Sequence, residues 1–259
     1  MARFSANLGF LWTNHPLPQA ILLARTYGFD AVECHWPDNV PPEQVAAALA
    51  EAELKMIGIN TRRGNAAAGE MGLAALPGRE KDARTAIDDA IAYAGAIGAL
   101  NVHVMAGRAE GDTALSAFID NLAYATQQAA QHGITILIEP LNRYDSPGYF
   151  LKTSTQAEAI IEKVAAANLK LMFDCYHIQI MEGDITRKLE RLLPLIGHIQ
   201  IAAIPSRQEP DHGELDYRHV IAEIDRLGYS APIGAEYRPR GSTESGLGWL
   251  QTLRGVESG

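Results

Sequence analysis

Cysteine is nearly absent from this chain. The two that occur, Cys34 and Cys175, form no CxxC pair and no spaced framework. That excludes a disulfide scaffold and a cysteine-based zinc motif, and it predicts two reduced, partly buried thiols in a cytosolic protein. Net positive charge is also missing. With 22 basic against 31 acidic residues the chain carries −9, the wrong sign for a nucleic-acid or anionic-membrane surface. No apolar run approaches the ~18 residues of a membrane span. The start, Met-Ala-Arg-Phe-Ser-Ala-Asn, lacks the apolar centre of a signal peptide, so the expected compartment is the cytoplasm. Neither GxGxxG after the first strand nor GxxxxGK[ST] is present, which argues against nucleotide binding by those motifs. Repeats, low-complexity tracts and linkers are lacking too.

What is present is a steady alternation of strand-like and helix-like segments. Strands are expected at Phe4–Phe10, Asp30–Cys34, Leu54–Asn60, Asn101–Met105, Ile134–Glu139, Leu169–Asp174, His198–Ile201 and Pro232–Glu236. Helices are expected at Leu17–Tyr27, from Pro41 through Ala52, and at Arg79–Ile97, Thr113–Gln131, Gln156–Ala167, Ile185–Leu195, Tyr217–Leu227 and Ser245–Leu253. In the third of these, Ala83, Ala86, Ile87, Ala90, Ile91 and Ala94 recur at helical spacing. Gly133 is placed to cap the fourth. The long loop Thr61–Gly78 holds four glycines and one proline. Eight such units in 259 residues imply parallel strands with right-handed crossovers and fit a closed (β/α)₈ barrel, an α/β fold, as one domain over 1–259.

A barrel places its chemistry at the carboxyl ends of the strands. Four polar residues stand there on strands five to eight: Glu139 in Ile134-Thr-Ile-Leu-Ile-Glu, Asp174 in Leu169-Lys-Leu-Met-Phe-Asp, Gln200 in His198-Ile-Gln-Ile, and Glu236 in Pro232-Ile-Gly-Ala-Glu. Burying acids is costly unless a cation or a shared proton compensates. Three carboxylates and an amide oxygen make a hard donor set suited to Mg²⁺ or Mn²⁺, and less selectively to Co²⁺ or Zn²⁺. A strand-end acid can alternatively cap the N–H donors of the next helix. Asn60, after strand three, and His103, in strand four, meet the same positional condition. In Asp174-Cys-Tyr-His177 the ends are three residues apart and share a face if the segment is helical, which points His177 at the same pocket as a donor to a substrate oxygen. Cys175 is expected near the site without acting there. His198 should face the same side as Gln200, either towards the site or onto a structural partner in the barrel interior. Arg62, Arg63, Arg143, Arg207, Arg238 and Arg240 all fall in these loops, which in an acidic protein suggests recognition of a small anion such as a carboxylate.

Several segments resemble the hydroxypyruvate isomerase family of xylose-isomerase-like barrels. They are Asn60-Thr-Arg-Arg-Gly, Gly69-Glu-Met-Gly-Leu-Ala-Ala-Leu-Pro-Gly-Arg-Glu, Val102-His-Val-Met-Ala-Gly, Phe118-Ile-Asp-Asn-Leu, His198-Ile-Gln-Ile-Ala, Glu209-Pro-Asp-His-Gly-Glu-Leu-Asp-Tyr and Gly234-Ala-Glu-Tyr-Arg-Pro-Arg-Gly. The likeness runs from Arg3 to Trp249. It implies an aldose–ketose isomerase acting through an enediolate on hydroxypyruvate or a 2-oxo-tetronate. It further implies Glu139 and Glu236 as the acid/base pair; His177, Asn60, Arg207 and His103 are, from their positions, the candidate substrate-facing groups. The related ketose 3-epimerases bind their metal through Glu, Asp, His and Glu; here Glu139, Asp174 and Glu236 match and Gln200 replaces the histidine. The resemblance also allows a homo-oligomer. Glu139-Pro-Leu-Asn-Arg-Tyr-Asp is closer to the epimerases, so C3 epimerisation of a ketose is an alternative. A sugar-acid-binding barrel without chemistry is another, against which the intact glutamates count. The barrel's apurinic-site endonucleases use a multi-zinc, histidine-rich site and a basic face, and eight scattered histidines with a charge of −9 provide neither.

Overall fold

Eight short parallel strands close on themselves in chain order in the computed structural model, which describes residues 2–255; residues 1 and 256–259 of the expected span lie outside the described residues. The strands are β1 (Phe4–Asn7), β2 (Ala31–Cys34), β3 (Met56–Asn60), β4 (Asn101–His103), β5 (Thr135–Ile138), β6 (Leu169–Asp174), β7 (Ile196–Ile201) and β8 (Ile233–Ala235). The helices are α1 (Leu17–Thr26), α2 (Pro42–Ala52), α3 (Glu80–Ile97), α4 (Gly111–Ala130), α5 (Ser154–Val164), α6 (Cys175–Met181), α7 (Ile185–Leu192), α8 (Tyr217–Arg226) and α9 (Gly248–Arg254). Pairing β1 with β8, Ser5 opposite Gly234, closes the ring. The α/β barrel expected from the alternation is the observed fold.

The boundaries differ where a local hydrogen bond outcompetes the sheet. β1 stops at Asn7 because its carbonyl accepts from Phe10 and Leu11 N–H while its side chain accepts from Gly9 N–H, turning the chain. Leu54 is withheld from β3: Glu53 is left-handed and Leu54 N–H returns to Leu49 O, finishing α2. β4 ends early because Met105 N–H goes to the Thr61 hydroxyl. β7 begins two residues before His198, through Gly197, where a β-carbon would lie 2.7 Å from Leu137 and Lys170 side chains; there glycine permits close packing instead of breaking the strand. Gly133 has φ +66° but follows the end of α4 by three residues. α5 starts earlier than its apolar spacing implies, at a cap in which Thr153 accepts from Gln156 N–H, and it stops at left-handed Ala165.

The helices turn their small apolar stripe inward. On α3 the buried residues are the six expected ones plus Ile97. Cys34 and Cys175 are free and buried. Burial, then neighbouring acids, pushes Cys34 up to about 12 and Cys175 well above the usual thiol range, so both stay protonated and unreactive. Among the described residues no helix is long and apolar enough to cross a membrane.

Candidate active site

The carboxyl ends of β5, β6 and β8 bring Glu139, Asp174 and Glu236 together. One donor atom from each, with one from His177, all lie within 4.8 Å of one another, and all four residues are buried. Asp174 fills both roles open to it in the sequence. Its Oδ1 accepts from Tyr176 N–H at 2.8 Å and caps α6, while Oδ2 is left buried without a hydrogen bond. That double use explains why α6, which the apolar periodicity does not announce, starts directly at the strand end.

The environments of the acids differ. Glu139 makes no hydrogen bond through Oε1; His103 Nδ1 lies 3.6 Å from its Oε2 and His177 Nε2 3.9 Å from its Oε1. Burial, then the charges of Glu236 and Asp174, pushes its carboxyl well above the usual range. Burial and Glu236 likewise raise Asp174 to about 8. Glu236 is buried too, but Arg207 Nη2 donates to its Oε2 at 2.7 Å and Asn7 Nδ2 to its Oε1 at 3.0 Å. Against the burial, Arg207 first and His35 next, 3.9 Å away, hold it at about 2.

His177 was expected as a donor to a substrate oxygen, and the structure sets its tautomer. Nδ1 accepts from Asn142 backbone N–H at 3.0 Å, so it cannot carry a proton; the neutral ring is then protonated at Nε2. Burial, then Arg207, keeps the ring neutral by lowering it to about 3. Nε2 lies 3.5 Å from Asp174 Oδ2 without a hydrogen bond between them. His177 is near enough to join a metal site, and in this tautomer its Nε2–H is a donor without a partner among the described residues. Asn142 is itself fixed by Tyr144 and Asp145 N–H, and its amide reaches Asp145 Oδ2.

Arg207 lies between the rings of Phe10 and Tyr176, 4.8 and 5.1 Å from their centroids. His103 is buried, with neither ring nitrogen hydrogen-bonded. Asn60 ends β3 half-buried and, among the described residues, forms no hydrogen bond with the acids. Gln200 stands opposite Asp174 on β6 and Gly234 on β8. Its Nε2 donates to Glu33 Oε1 at 3.0 Å, and Oε1 is buried without a partner. His198 takes the interior alternative: its Nε2 meets the Glu33 carboxylate.

A divalent cation fits this donor set. Glu139 Oε1, Asp174 Oδ2 and Gln200 Oε1 are buried oxygens without a hydrogen bond, and the acids crowd one another with Arg207 as the nearby balancing cation. Uncompensated buried acceptors of this kind call for a proton or a metal.

The model of the family described as the xylose isomerase-like TIM barrel matches residues 21–253. The chain belongs to that family. Within it, the chain is 48% identical to the 2-oxo-tetronate isomerase of Cupriavidus necator, covering 98% of this chain and all of the other. It is 36% identical to the hydroxypyruvate isomerase of Escherichia coli K12, again over 98% of this chain and all of the other. The crystal structure of a protein described as AP endonuclease, family 2, from Brucella melitensis superposes with TM-score 0.94 at 40% identity, over 97% of this chain and 99% of that one. This member of the xylose isomerase-like barrels is an isomerase.

Three buried or half-buried residues of the site are additional to those singled out in the sequence: Asn7, Glu33 and His35. Glu33 carried the same signal as the other acids, a lone charge among Ala31, Val32 and Cys34. It sits one residue before its strand ends, so a search of terminal positions passes over it.

Proposed function

We propose that the chain interconverts a small hydroxy-oxo acid with its isomer, hydroxypyruvate with tartronate semialdehyde or a 2-oxo-tetronate with its partner, through an enediolate. The observation that carries this reading is the contrast between two neighbouring glutamates: Arg207 and Asn7 donate to Glu236, which Arg207 and then His35 lower against its burial, whereas Glu139 Oε1 is buried without a hydrogen bond and that carboxyl is raised. Facing carboxyls whose environments push them apart make one base and one acid at neutral pH. Glu236, ionised, removes the proton from C3; Glu139, protonated, delivers one to C2. The hydroxyl proton passes from O3 to O2, and His177 Nε2–H donates to the oxygen that gains charge. Acid–base catalysis of this kind contributes ~10²–10⁴-fold. The cation would be held by Glu139, Asp174, Gln200 and Glu236. When bound, Mg²⁺ or Mn²⁺ supplies charge stabilisation to the two substrate oxygens.

C3 epimerisation of a ketose is the second reading, favoured by the Asn142–Asp145 turn that ties an epimerase-like stretch to His177. Nucleic-acid chemistry is not supported, because the site is acid-rich and the chain carries −9. The test is NMR in deuterated water with hydroxypyruvate and 2-oxo-tetronates, with and without Mg²⁺ or Mn²⁺. A shifted carbonyl marks isomerisation, and an inverted stereocentre marks epimerisation. Glu139→Gln and Glu236→Gln should each lose at least ~10²-fold in kcat/KM while keeping the fold. Wild-type turnover in both variants would sink the assignment.

A further inference from the structure

Glu33 has no part in the proton transfers above, yet its carboxylate is almost fully buried and is met by three side-chain donors: Asn7 Nδ2 at 3.1 Å, Gln200 Nε2 at 3.0 Å and His198 Nε2. Those donors come from β1 and β7, and the space between them is kept open from β8. A β-carbon on Gly234 would stand 2.7 Å from Glu33 Oε1, 2.7 Å from Gln200 Cγ and 2.8 Å from His198 Nε2.

We infer that Glu33 is a positioning residue that sets which end of the Gln200 amide faces the active-site pocket. The chemistry is one-sided: a carboxylate only accepts, so an amide beside it must present its NH₂. With Nε2 held by Glu33, Gln200 is obliged to turn Oε1 away, and that oxygen is the one left buried and without a partner. Reversed, the amide would offer a donor where a cation needs an acceptor, and it would set an oxygen against the Glu33 carboxylate. The same carboxylate fixes Asn7, whose Nδ2 bridges Glu33 and Glu236 while its Oδ1 accepts from Gly9 N–H. Glu33 therefore makes an amide serve as an oxygen ligand and steadies the base through Asn7. The inference rests on the proposed role of Gln200 as a cation ligand. Groups behind metal ligands typically change affinity 10–100-fold when removed.

The test is Mn²⁺ binding to chelator-treated protein, followed by the electron paramagnetic resonance of free Mn²⁺. Glu33→Gln should weaken binding by ~10–100-fold, because a glutamine at 33 lets Gln200 turn either way. Exchanging the two groups, Glu33→Gln with Gln200→Glu, should restore most of the affinity, since a carboxylate offers an oxygen at both ends. A merely structural Glu33 gives no such rescue. Unchanged Mn²⁺ affinity in Glu33→Gln, or a loss that the exchange does not restore, overturns the inference and leaves the isomerase reading standing. A wild-type protein that isomerises without binding Mn²⁺ overturns the inference together with the ligand role of Gln200. Failure of the wild type to act on any hydroxy-oxo acid strikes the functional reading instead.

Discussion

Arg207 holds φ at +53°, a region that side chains with a β-carbon rarely adopt. It is kept there by backbone bonds from its own N–H to Ala203 O and from Arg238 N–H to its carbonyl. Its Nη2 donates to Glu236 while its Nε has no partner, and a second cation beside it would strengthen the hold on a substrate carboxylate. Of the remaining loop arginines, Arg62 pairs with Asp38 and Asp89, Arg240 with Glu209 and Asp211, and Arg143 and Arg238 are exposed. Arg63 differs from these: it is half-buried on the loop after β3 and, among the described residues, pairs with no carboxylate. After burial and His35, its charge also lowers His103, which is held at about 4. A charge-assisted hydrogen bond contributes about 1.5–3 kcal/mol. Arg63→Gln should accordingly cut kcat/KM for a hydroxy-oxo acid by roughly 10–100-fold and leave an uncharged ketose of similar size unaffected. Equal losses on both substrates, read from initial rates, would remove Arg63 from this role. Glu139, Asp174 and Glu236 were legible in the sequence because an acid ending an apolar strand is conspicuous. Asn7 and His35 were not, because single polar residues next to a strand look like ordinary loop groups until the barrel closes and sets them beside Glu236.

Elements show the same division between what spacing encodes and what contact decides. The stripe of α3 was readable because its period repeats over five turns. The starts of β3 and β7 were not, because one depends on a hydrogen bond back to α2 and the other on a glycine whose purpose lies on neighbouring strands. β8 illustrates this best. Gly234 reads as a weak point in a strand, yet it is where β2 and β7 side chains pass. Gly234→Ala drives a methyl into Glu33, Gln200 and His198, none free to swing because each holds another. Overpacking of that kind costs about 1–3 kcal/mol. Thermal melting should show that loss, and kcat should fall with it as Gln200 is displaced. A variant with wild-type melting and wild-type kcat would mean that the network gives way without consequence.

Closing the barrel forces together acids from β2, β5, β6 and β8, with Arg207 as their near counter-charge, and this ties stability to pH and to the cation. Asp174 is raised from 3.8 to about 8 and Glu139 well above 4.5, so chelator-treated folded protein binds protons that the unfolded chain releases. Stability from these two groups is greatest below about pH 4 and is lost as pH rises, through about 8 for Asp174. Glu236, depressed to about 2, acts in the opposite sense, and its contribution fades only as pH falls towards that value. Between pH 5 and 8 the chelated protein should therefore melt at progressively lower temperature. Mn²⁺ must displace the Asp174 proton to bind, so its stabilisation should grow across that range. Melting curves at pH 5 and pH 8, each with chelator and with excess Mn²⁺, measure both slopes. Asp174→Asn should flatten them, because its side chain holds no proton to lose. A Mn²⁺ shift as large at pH 5 as at pH 8 would mean that the buried acids do not share protons in the absence of the ion.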